Sequence, residues 1–427
     1  MTETGTYVIV GGGLAGARAA ETLREEGFDG KVVIVGEEEE RPYIRPPLSK
    51  EYLAGTAGRE AGFVHPERWY AEHDVELLLG TRATSLDLAD HAVRLTGGRR
   101  LRYRALLLAT GARSRRLTGL GFGAHLAGVH YLRTRRESDE LRAALADGDR
   151  RVVVVGSGWI GLEVAAAARG YGNAVTVLGR ETVPLNGALG DELGGVFAAL
   201  HREHGVDLRM STNVREIRGI LGSVSEVVLR DGEIIPADVV VVGVGAVPND
   251  ELACAAGLRT DNGVVVDEHL RTDHPDVYAV GDVANAFHPV LGHHLRVEHW
   301  ATAQNAGPLA ARSMLGGAAV DDLVPYFYTD QYDLGMEYTG YSSLARDARV
   351  VYRGDRDARE FIAFWVADGR VVAGMNVNVW DVSADIEKLV RAAAPVDVAR
   401  LADESVPLPD LVPTGRALAG ERHGDAR

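Results

Sequence analysis

The stretch YVIVGGGLAGARAAETLREEGFDGKVVIV, residues 7–35, joins an apolar β-branched run, a glycine-rich turn, an alanine-rich run and a second apolar run. Strand, turn, helix and strand in that order predict a βαβ unit. The same order returns in RVVVVGSGWIGLEVAAAARGYGNAVTVL, residues 151–178. A βαβ unit that occurs twice predicts an α/β chain with two parallel sheets.

The first glycine-rich turn has the spacing of a phosphate-binding turn. Gly11 suits a tight turn, Gly13 lets backbone N–H groups approach a pyrophosphate, and Gly16 lets the helix pack closely on the strand. The N-terminus of the helix adds a positive dipole end. Glu37, after the second strand, is an acid that can bind ribose hydroxyls. A glycine turn without a ligand is the alternative, but the complete set favours a bound dinucleotide.

The second unit repeats these glycines at Gly156, Gly158 and Gly161. Its second strand ends in Leu178-Gly179-Arg180, so no carboxylate stands where a ribose 2′-hydroxyl would need one. An arginine beside that vacated position can neutralise a 2′-phosphate. The sequence therefore favours NADPH over NADH here, and a solvated surface arginine is the alternative interpretation.

Three more apolar runs each end in a glycine turn. Such turns let the backbone approach a ligand at the carboxyl edge of a parallel sheet. Asp282, in the last turn, can accept hydrogen bonds from a ribityl chain or cap the next helix. The expected ligand contacts are Ala109, Thr110 and Gly111 in ATGA, Gly243 and Gly245 in GVGAVPN, and Gly281 and Asp282 in GDVAN.

Charged and aromatic residues lie at three further places. In RPPLSK, residues 45–50, two prolines stiffen a segment that carries Arg45 and Lys50, which suits contact with a flavin and its phosphates. Glu163, two residues after Gly161, can pair with Lys50. Glu298 and Trp300 place an acid and a flat ring where a planar cofactor can lie. The alternatives are a proline-stiffened surface loop, a helix N-terminal acid, and a capping acid beside a core tryptophan.

Composition excludes several classes of protein. With 46 basic and 61 acidic residues the 427-residue chain has a net charge of −15, which disfavours nucleic acid binding. The only cysteine, Cys254, excludes an internal disulfide and a redox dithiol. The histidines at 288, 293, 294 and 299 lack metal-ligand spacing, so no metal is expected. Neither a targeting signal nor a membrane-spanning run is visible, so a cytoplasmic location is expected.

Changes in composition and residue pattern along the chain predict its domains. The predicted fold is α/β, with two Rossmann-like dinucleotide-binding domains and a C-terminal α+β domain. Aromatic residues concentrate from residue 326, and a hairpin is expected around Asp368-Gly369. The predicted boundaries are 1–115 with 250–325 for an FAD-binding domain, 116–249 for an NAD(P)H-binding domain, 326–412 for the C-terminal domain and 413–427 for a disordered tail.

Taken together, these motifs resemble the FAD-dependent ferredoxin and rubredoxin reductases, the family of putidaredoxin reductase and of the reductase components of aromatic-ring dioxygenases. The resemblance rests on RPPLSK, ATGA, GVGAVPN, GDVAN and VEHWATAQN, and it extends to about residue 412. The wider fold is that of glutathione reductase, but without the redox cysteine pair.

The resemblance implies roles for particular residues in binding FAD and a nicotinamide nucleotide. Lys50 with Glu163 resembles the ion pair beside the isoalloxazine, and these two are the candidate catalytic residues. Leu14, Ala15, Glu37 and Ala83 would contact the adenosine side of FAD, Arg45 and Lys50 its flavin side, and Arg133 and Asp282 its pyrophosphate and ribityl oxygens. Glu298 and Trp300 would lie where nicotinamide meets flavin, while Gly156, Gly158, Trp159, Ile160, Gly161, Arg180 and Gly243–Gly245 would bind the nicotinamide nucleotide.

The implied activity is an NAD(P)H:ferredoxin oxidoreductase, which passes hydride to FAD and then single electrons to an acidic iron–sulfur ferredoxin that feeds a cytochrome P450 or another oxygenase. Docking an acidic partner would need a basic surface, for which Arg113, Arg115 and Arg116, or the arginines within 99–104, are candidates. The alternatives are an NAD(P)H oxidase or quinone reductase, and a signalling flavoprotein like apoptosis-inducing factor. The oligomeric state stays open.

Overall fold

The structure is a computed structural model that describes residues 5–118, 121, 123 and 125–412. The chain divides into two compact units, Met1–Leu323 and Val324–Arg427. The tail predicted for residues 413–427 lies outside the described residues. The domain boundaries expected within the larger unit remain a proposal.

The larger unit contains twenty-one strands and seven α-helices among its described residues. The strands are β1 (Tyr7–Val10), β2 (Val32–Val35), β3 (Val75–Leu78), β4 (Ala83–Asp87), β5 (Ala92–Leu95), β6 (Arg100–Arg102), β7 (Ala105–Leu108), β8 (Ala112–Ser114), β9 (Val129–His130), β10 (Arg151–Val155), β11 (Ala174–Leu178), β12 (Asp207–Arg209), β13 (Val214–Ile220), β14 (Ser223–Leu229), β15 (Ile234–Pro236), β16 (Val239–Val242), β17 (Ala246–Pro248), β18 (Val264–Val266), β19 (Val277–Ala279), β20 (Ala284–His288) and β21 (His293–Leu295). The α-helices are α1 (Leu14–Glu25), α2 (Glu67–Glu72), α3 (Arg135–Leu145), α4 (Trp159–Gly170), α5 (Asn186–Glu203), α6 (Glu251–Ala255) and α7 (Trp300–Met314), and 3-10 turns lie at Pro46–Ser49, Arg59–Gly62, Thr96–Gly98 and Gly281–Val283.

Two five-stranded parallel sheets form the centre of this unit. The first has the order β19-β7-β1-β2-β3, so a strand late in the chain joins strands from its start. The second has the order β12-β11-β10-β16-β9. All residues of β1, β2, β7 and β16 are buried, as expected for parallel strands covered on both faces. The α/β prediction is therefore confirmed.

Helix α1 packs closely against α7 because both carry small residues at their contact. A Cβ at Gly307 of α7 would lie only 2.7 Å from the carbonyl oxygen of Ala15 in α1. Ala17, Ala19 and Ala20 of α1 are fully buried. This close approach places the start of α1 against the middle of α7.

The smaller unit is one antiparallel sheet with short helices. Its strands, in the order β22-β23-β26-β25-β24, are β22 (Tyr326–Gln331), β23 (Leu334–Gly340), β24 (Arg349–Asp355), β25 (Glu360–Ala367) and β26 (Arg370–Val377). Its helices are α8 (Ser342–Ala345), α9 (Ser383–Ala392) and α10 (Val398–Ala402), and a 3-10 turn lies at Leu408–Leu411.

The predicted hairpin joins β25 to β26. Its two turn residues, Asp368 and Gly369, have φ angles of 50° and 73°, the left-handed pair that a two-residue hairpin turn needs. Residues 361–366 are all apolar and all buried, so this part of β25 is covered on both of its faces. Strands β24 and β26 pair with its two edges.

Two negative findings apply to the described part of the chain. None of its helices combines the length and the apolar character that a transmembrane span requires. It also brings together no group of three or more metal-ligating side chains of the kinds found in metal sites.

Candidate functional site

The first glycine turn is shaped by contact with a neighbouring strand. Gly11 has a φ of +133°, and a Cβ there would overlap the carbonyl oxygen of Ala109. A Cβ at Gly16 would overlap the carbonyl oxygen of Gly11. By contrast, a Cβ at Gly13 would meet no atom within 4 Å. Two of the glycines are therefore needed by the fold, and the third opens onto free space.

That free space lies at a helix N-terminus suited to an anion. Gly13 is the N-cap of α1 and provides no side-chain hydrogen bond to the first N–H groups of the helix. N–H groups in that position attract phosphate. The turn thus fits a dinucleotide pyrophosphate, as the glycine spacing predicts.

The second turn repeats this arrangement in the same chain. Gly156 has a φ of +115°, and a Cβ there would overlap the carbonyl oxygen of Gly243. A Cβ at Gly161 would overlap the Gly156 carbonyl oxygen, whereas one at Gly158 would meet nothing within 4 Å. Gly158 is the N-cap of α4, again without a side-chain cap. The helix begins at Trp159, so Trp159 and Ile160 lie on its first turn.

The two βαβ units make equivalent hydrogen bonds, so their residues can be matched one by one. The N–H of Gly11 donates to the Val35 carbonyl at 2.8 Å, and the N–H of Gly156 donates to the Leu178 carbonyl at 2.9 Å. The last residue of the second strand is therefore Val35 in one unit and Leu178 in the other.

This correspondence matches the residues that follow the two strands. Gly36 in the first unit matches Gly179 in the second, so the next residues, Glu37 and Arg180, also match. A Cβ at Gly179 would lie 2.4 Å from the Met210 Cε and 2.5 Å from the Ser157 hydroxyl oxygen, so a larger residue there would displace the ends of those side chains. The ribose contacts of Gly179 and Arg180 stay a prediction.

Glu37 has a basic neighbour that sequence reasoning missed. Its carboxylate lies 3.6 Å from the guanidinium of Arg82, and both side chains are more than two-thirds exposed (69% and 68%). Arg82 immediately precedes Ala83, the first residue of β4. Arg82 thus links Glu37 to the start of β4, where Ala83, the other candidate contact for the adenosine of FAD, lies.

Lys50 and Glu163 meet in the interior, as the sequence predicts. Their N–O distance is 2.8 Å, and their side chains are only 9% and 4% exposed. The Ser49 hydroxyl donates to the second oxygen of Glu163 at 2.5 Å. Pro46 and Pro47 begin the 3-10 turn that delivers Ser49 and Lys50, because proline lacks the N–H that such a start leaves unused.

Arg45 lies in a second charged network. It donates to Glu38 at 2.8 Å, to the Tyr43 hydroxyl at 3.2 Å and to the Arg133 carbonyl at 2.5 Å. Burial alone would raise the pKa of Glu38, but Arg45 and Tyr43 hold it below its usual value. Burial, with Glu38 next to it, raises the pKa of Tyr43 to about 12, so its hydroxyl stays a donor. Glu38 and Tyr43 were not predicted, because nothing local marks them.

Arg133 and Asp282 form an ion pair, as their shared predicted role requires. Arg133 also donates to the Ala112 carbonyl at 2.8 Å. Gly281, with a φ of +75°, brings Asp282 against α1, since a Cβ there would lie 3.2 Å from the Ala15 Cβ. Asp282 is therefore fixed beside the first cradle, which is the glycine turn of residues 11–16 with the start of α1. The second cradle is the matching glycine turn of residues 156–161 with the start of α4.

The segment before α7 completes the site. Arg296 donates to the Asp282 carbonyl at 3.1 Å and pairs with Glu298 at 2.5 Å. His299 caps α7 by accepting a hydrogen bond from the Ala301 N–H at 3.1 Å. Burial, reinforced by Lys50 and opposed by Asp282, lowers the pKa of His299 to about 4, so it is neutral at physiological pH. Trp300 is the first residue of α7.

ATGA and GVGAVPN are held together by one asparagine. Asn249 donates to the Thr110 carbonyl at 2.8 Å, and the Thr110 hydroxyl donates to the Asn249 carbonyl at 2.7 Å. The short strands β8 and β17 pair antiparallel beside them. Gly111 and Gly245 have φ angles of +65° and +101°, which explains the glycine at both turns.

The arginines suggested for partner docking have contacts within the chain. Arg113 pairs with Glu251 at 2.5 Å, and Arg116 approaches Glu137 at 4.0 Å. Arg115 donates to the Ala246 carbonyl at 3.2 Å, next to the GVGAVPN turn. In the second set, Arg99 pairs with Glu76 at 3.0 Å and Arg100 with Asp90. Four of these arginines therefore have an acidic partner within the chain, and the docking role stays a prediction.

Comparisons with known proteins agree with this geometry. Residues 5–307 match the pyridine nucleotide-disulphide oxidoreductase family, and residues 326–412 match the reductase C-terminal domain. The chain is 41% identical to the ferredoxin–NAD(+) reductase component of the anthranilate 1,2-dioxygenase system of Burkholderia cepacia, over 94% of this chain and 98% of that one. It is 36% identical to putidaredoxin reductase of Pseudomonas putida, over 98% and 99%.

A solved structure is also similar over nearly the whole length. The covalent complex of putidaredoxin reductase with putidaredoxin aligns with a TM-score of 0.92 at 36% identity, covering 96% of this chain and 98% of that one.

Proposed function

Since this chain belongs to the pyridine nucleotide-disulphide oxidoreductase family and, within it, to the ferredoxin reductases, we propose that it is an FAD-dependent NAD(P)H:ferredoxin oxidoreductase. Its partner is an iron–sulfur ferredoxin that supplies a cytochrome P450 or another oxygenase. We place the reaction in the cytoplasm, where its nicotinamide coenzyme is found.

One observation carries the proposal: the Lys50–Glu163 ion pair joins the two nucleotide-binding units. Lys50 comes from the RPPLSK segment of the first unit, and Glu163 comes from the helix that opens the second cradle. The Lys50–Glu163 ion pair therefore connects the first cradle to the second. With only Cys254 in the chain, no dithiol can mediate between two bound coenzymes.

The residues around the first cradle fit FAD. The open space at Gly13 and the uncapped start of α1 suit its pyrophosphate, and Glu37 with Ala83 suits its adenosine. Arg45, Lys50, Arg133 and Asp282 would hold the flavin side. FAD, when bound, accepts a hydride from the nicotinamide and releases electrons singly to an iron–sulfur acceptor. The chain supplies orientation, a buried ion pair and exclusion of water.

For the second cradle we propose NADPH as the preferred coenzyme. Arg180 occupies the register position that Glu37 occupies in the first unit, and a guanidinium favours a 2′-phosphate where a carboxylate favours a free 2′-hydroxyl. Gly179 itself has no side chain to contact the ribose. Gly243 and Gly245 would approach the nicotinamide half.

Two glycine substitutions test the second cradle. Gly158→Ala should leave the unfolding temperature nearly unchanged, because its Cβ meets no atom within 4 Å and its φ is −83°. The same methyl group intrudes where the pyrophosphate would lie, so NADP+ should bind about 10-fold more weakly. Gly156→Ala, at φ +115°, should instead destabilise the fold by roughly 1–3 kcal/mol.

Thermal unfolding and titration of the flavin spectrum with NADP+ measure these two effects separately. Unchanged NADP+ affinity in Gly158→Ala would contradict the placement of the pyrophosphate.

Turnover with purified components tests the activity itself. The protein, with NADPH and an iron–sulfur ferredoxin, should reduce cytochrome c at a rate that depends on the ferredoxin concentration. Fast oxygen consumption without ferredoxin would instead support an NAD(P)H oxidase. Slow reduction by NAD(P)H with a long-lived charge-transfer band would support a signalling flavoprotein.

A further inference from the structure

Arg135, the first residue of α3, is a buried arginine surrounded by aromatic rings. The residue is 2% exposed. Its guanidinium carbon lies 4.7 Å from the ring centre of Tyr43, 5.7 Å from that of Tyr52 and 4.2 Å from that of Phe63. These distances are those of cation–π contacts.

The rings contact this cation where its hydrogen bonding is incomplete. Its Nε and one terminal nitrogen have no hydrogen-bond partner among the described residues. The Glu40 carboxylate approaches that terminal nitrogen only to 3.9 Å. A buried cation with incomplete hydrogen bonding is unfavourable unless something compensates for its desolvation. A role in arranging the surrounding chain accounts for its presence here.

Two of the three rings that contact Arg135 flank RPPLSK. Tyr43 lies two residues before Arg45, and Tyr52 lies two residues after Lys50. One guanidinium therefore contacts the chain on both sides of the segment that carries the two flavin-side cations.

Further bonds fasten the same segment to α3. The backbone N–H of Arg135 donates to the Tyr43 hydroxyl at 3.0 Å, and the Ser138 hydroxyl donates to the Leu48 carbonyl at 2.8 Å. The Tyr52 hydroxyl donates to Asp139 at 2.5 Å. The first two turns of α3 are thus the surface on which RPPLSK rests.

The start of α3 is itself rigid and carries a second site residue. Thr134 and Glu137 form a capping box, in which each side chain binds the other residue's backbone N–H. The Glu137 carboxylate also accepts from the Arg133 N–H at 2.9 Å. The capping box therefore orients Arg133 toward Asp282 and Arg135 into its ring cage together.

We propose that Arg135 is a positioning residue for the flavin: its caged guanidinium holds RPPLSK on α3, so that Arg45 and Lys50 are aligned with Arg133 and Asp282 before the cofactor binds. This inference rests on the proposed FAD site. It assigns the cation a role through Lys50 and Arg45, with no direct contact to the reacting atoms.

Substitution of Arg135 in the FAD-loaded protein tests the role. Arg135→Met removes the charge at similar length, and FAD should dissociate with a Kd about 10-fold higher, since cation–π contacts with a desolvated cation are of that strength. The rate of flavin reduction at saturating NADPH should fall with it, while the KM for NADPH stays unchanged. Arg135→Lys, which keeps the cation, should recover much of the FAD affinity.

The matched control is Arg136→Met, on the same helix, where Arg136 is 79% exposed and pairs with Glu140. It should behave as the unsubstituted protein. Should Arg135→Met fail to fold, Tyr52→Leu removes one ring and leaves the cation in place; it should weaken FAD binding in the same direction.

The outcomes separate a positioning role from a purely structural one. If Arg135→Met lowers the unfolding temperature of the FAD-free protein but holds FAD as tightly as the control, the inference is overturned. A lysine variant as weak as the methionine variant would also overturn it. If the unsubstituted protein itself takes up no FAD, the proposed function fails instead.

Discussion

Arg180→Glu is expected to reverse the coenzyme preference. The substitution removes a charged hydrogen bond to the 2′-phosphate of NADPH and introduces repulsion between two negative charges. The value of kcat/KM for NADPH should therefore fall by about 100-fold, since hydrogen bonds to charged groups contribute roughly 1.5–3 kcal/mol. The new carboxylate would take the register position of Glu37 and can accept the ribose hydroxyls of NADH. The value of kcat/KM for NADH should therefore hold or rise.

Anaerobic stopped-flow reduction of the flavin by each coenzyme measures this preference. Arg230→Glu makes the same charge change at an exposed residue outside the site and should leave the preference alone. Equal losses with both coenzymes, or an unsubstituted protein that NADH reduces far better than NADPH, would refute the role assigned to Arg180.

Lys50→Met is expected to lower the free energy of unfolding more than Gly156→Ala does. Glu163, 4% exposed, would be left in the interior without its partner, and breaking a buried pair in this way costs about 3–5 kcal/mol. Adding Glu163→Gln should restore most of the free energy of unfolding, because a neutral amide does not need the missing cation. The measurement is denaturant unfolding of the FAD-free protein.

The exposed pair Arg136–Glu140, with side chains 79% and 53% exposed, is the comparison. Arg136→Met should change the free energy of unfolding by less than about 1 kcal/mol. If Lys50→Met costs no more than that, or if the double variant is no more stable than the single one, the pair does not contribute as its burial suggests. FAD-loaded protein would then show whether the pair matters only to the flavin.

Sequence reasoning succeeded where the structure is local. Both cradles were predicted because a strand, three spaced glycines and a helix start specify backbone geometry within about twenty residues. The hairpin at Asp368-Gly369 was predicted for the same reason, since the two turn residues alone can adopt the required φ angles.

Positions between distant segments were harder to predict. The sequence paired Lys50 with Glu163 only as one possibility. The match of Arg180 to Glu37 can be read only when the register of β10 on β11 is compared with that of β1 on β2. The contacts of the suggested docking arginines, such as Arg113 with Glu251, were also invisible in the sequence.

The amino-acid sequence by itself determined the α/β class, the two phosphate-binding turns and the absence of a dithiol, because each depends on residue type and short-range spacing. Only the tertiary structure decided that Arg135 lies in a cage of three rings, that His299 is half-buried near Lys50 and Asp282, and that Arg180 stands in the register of Glu37. Burial, ring contacts and charge pairing arise between residues far apart in the chain, and packing alone brings them within the few ångströms over which they act.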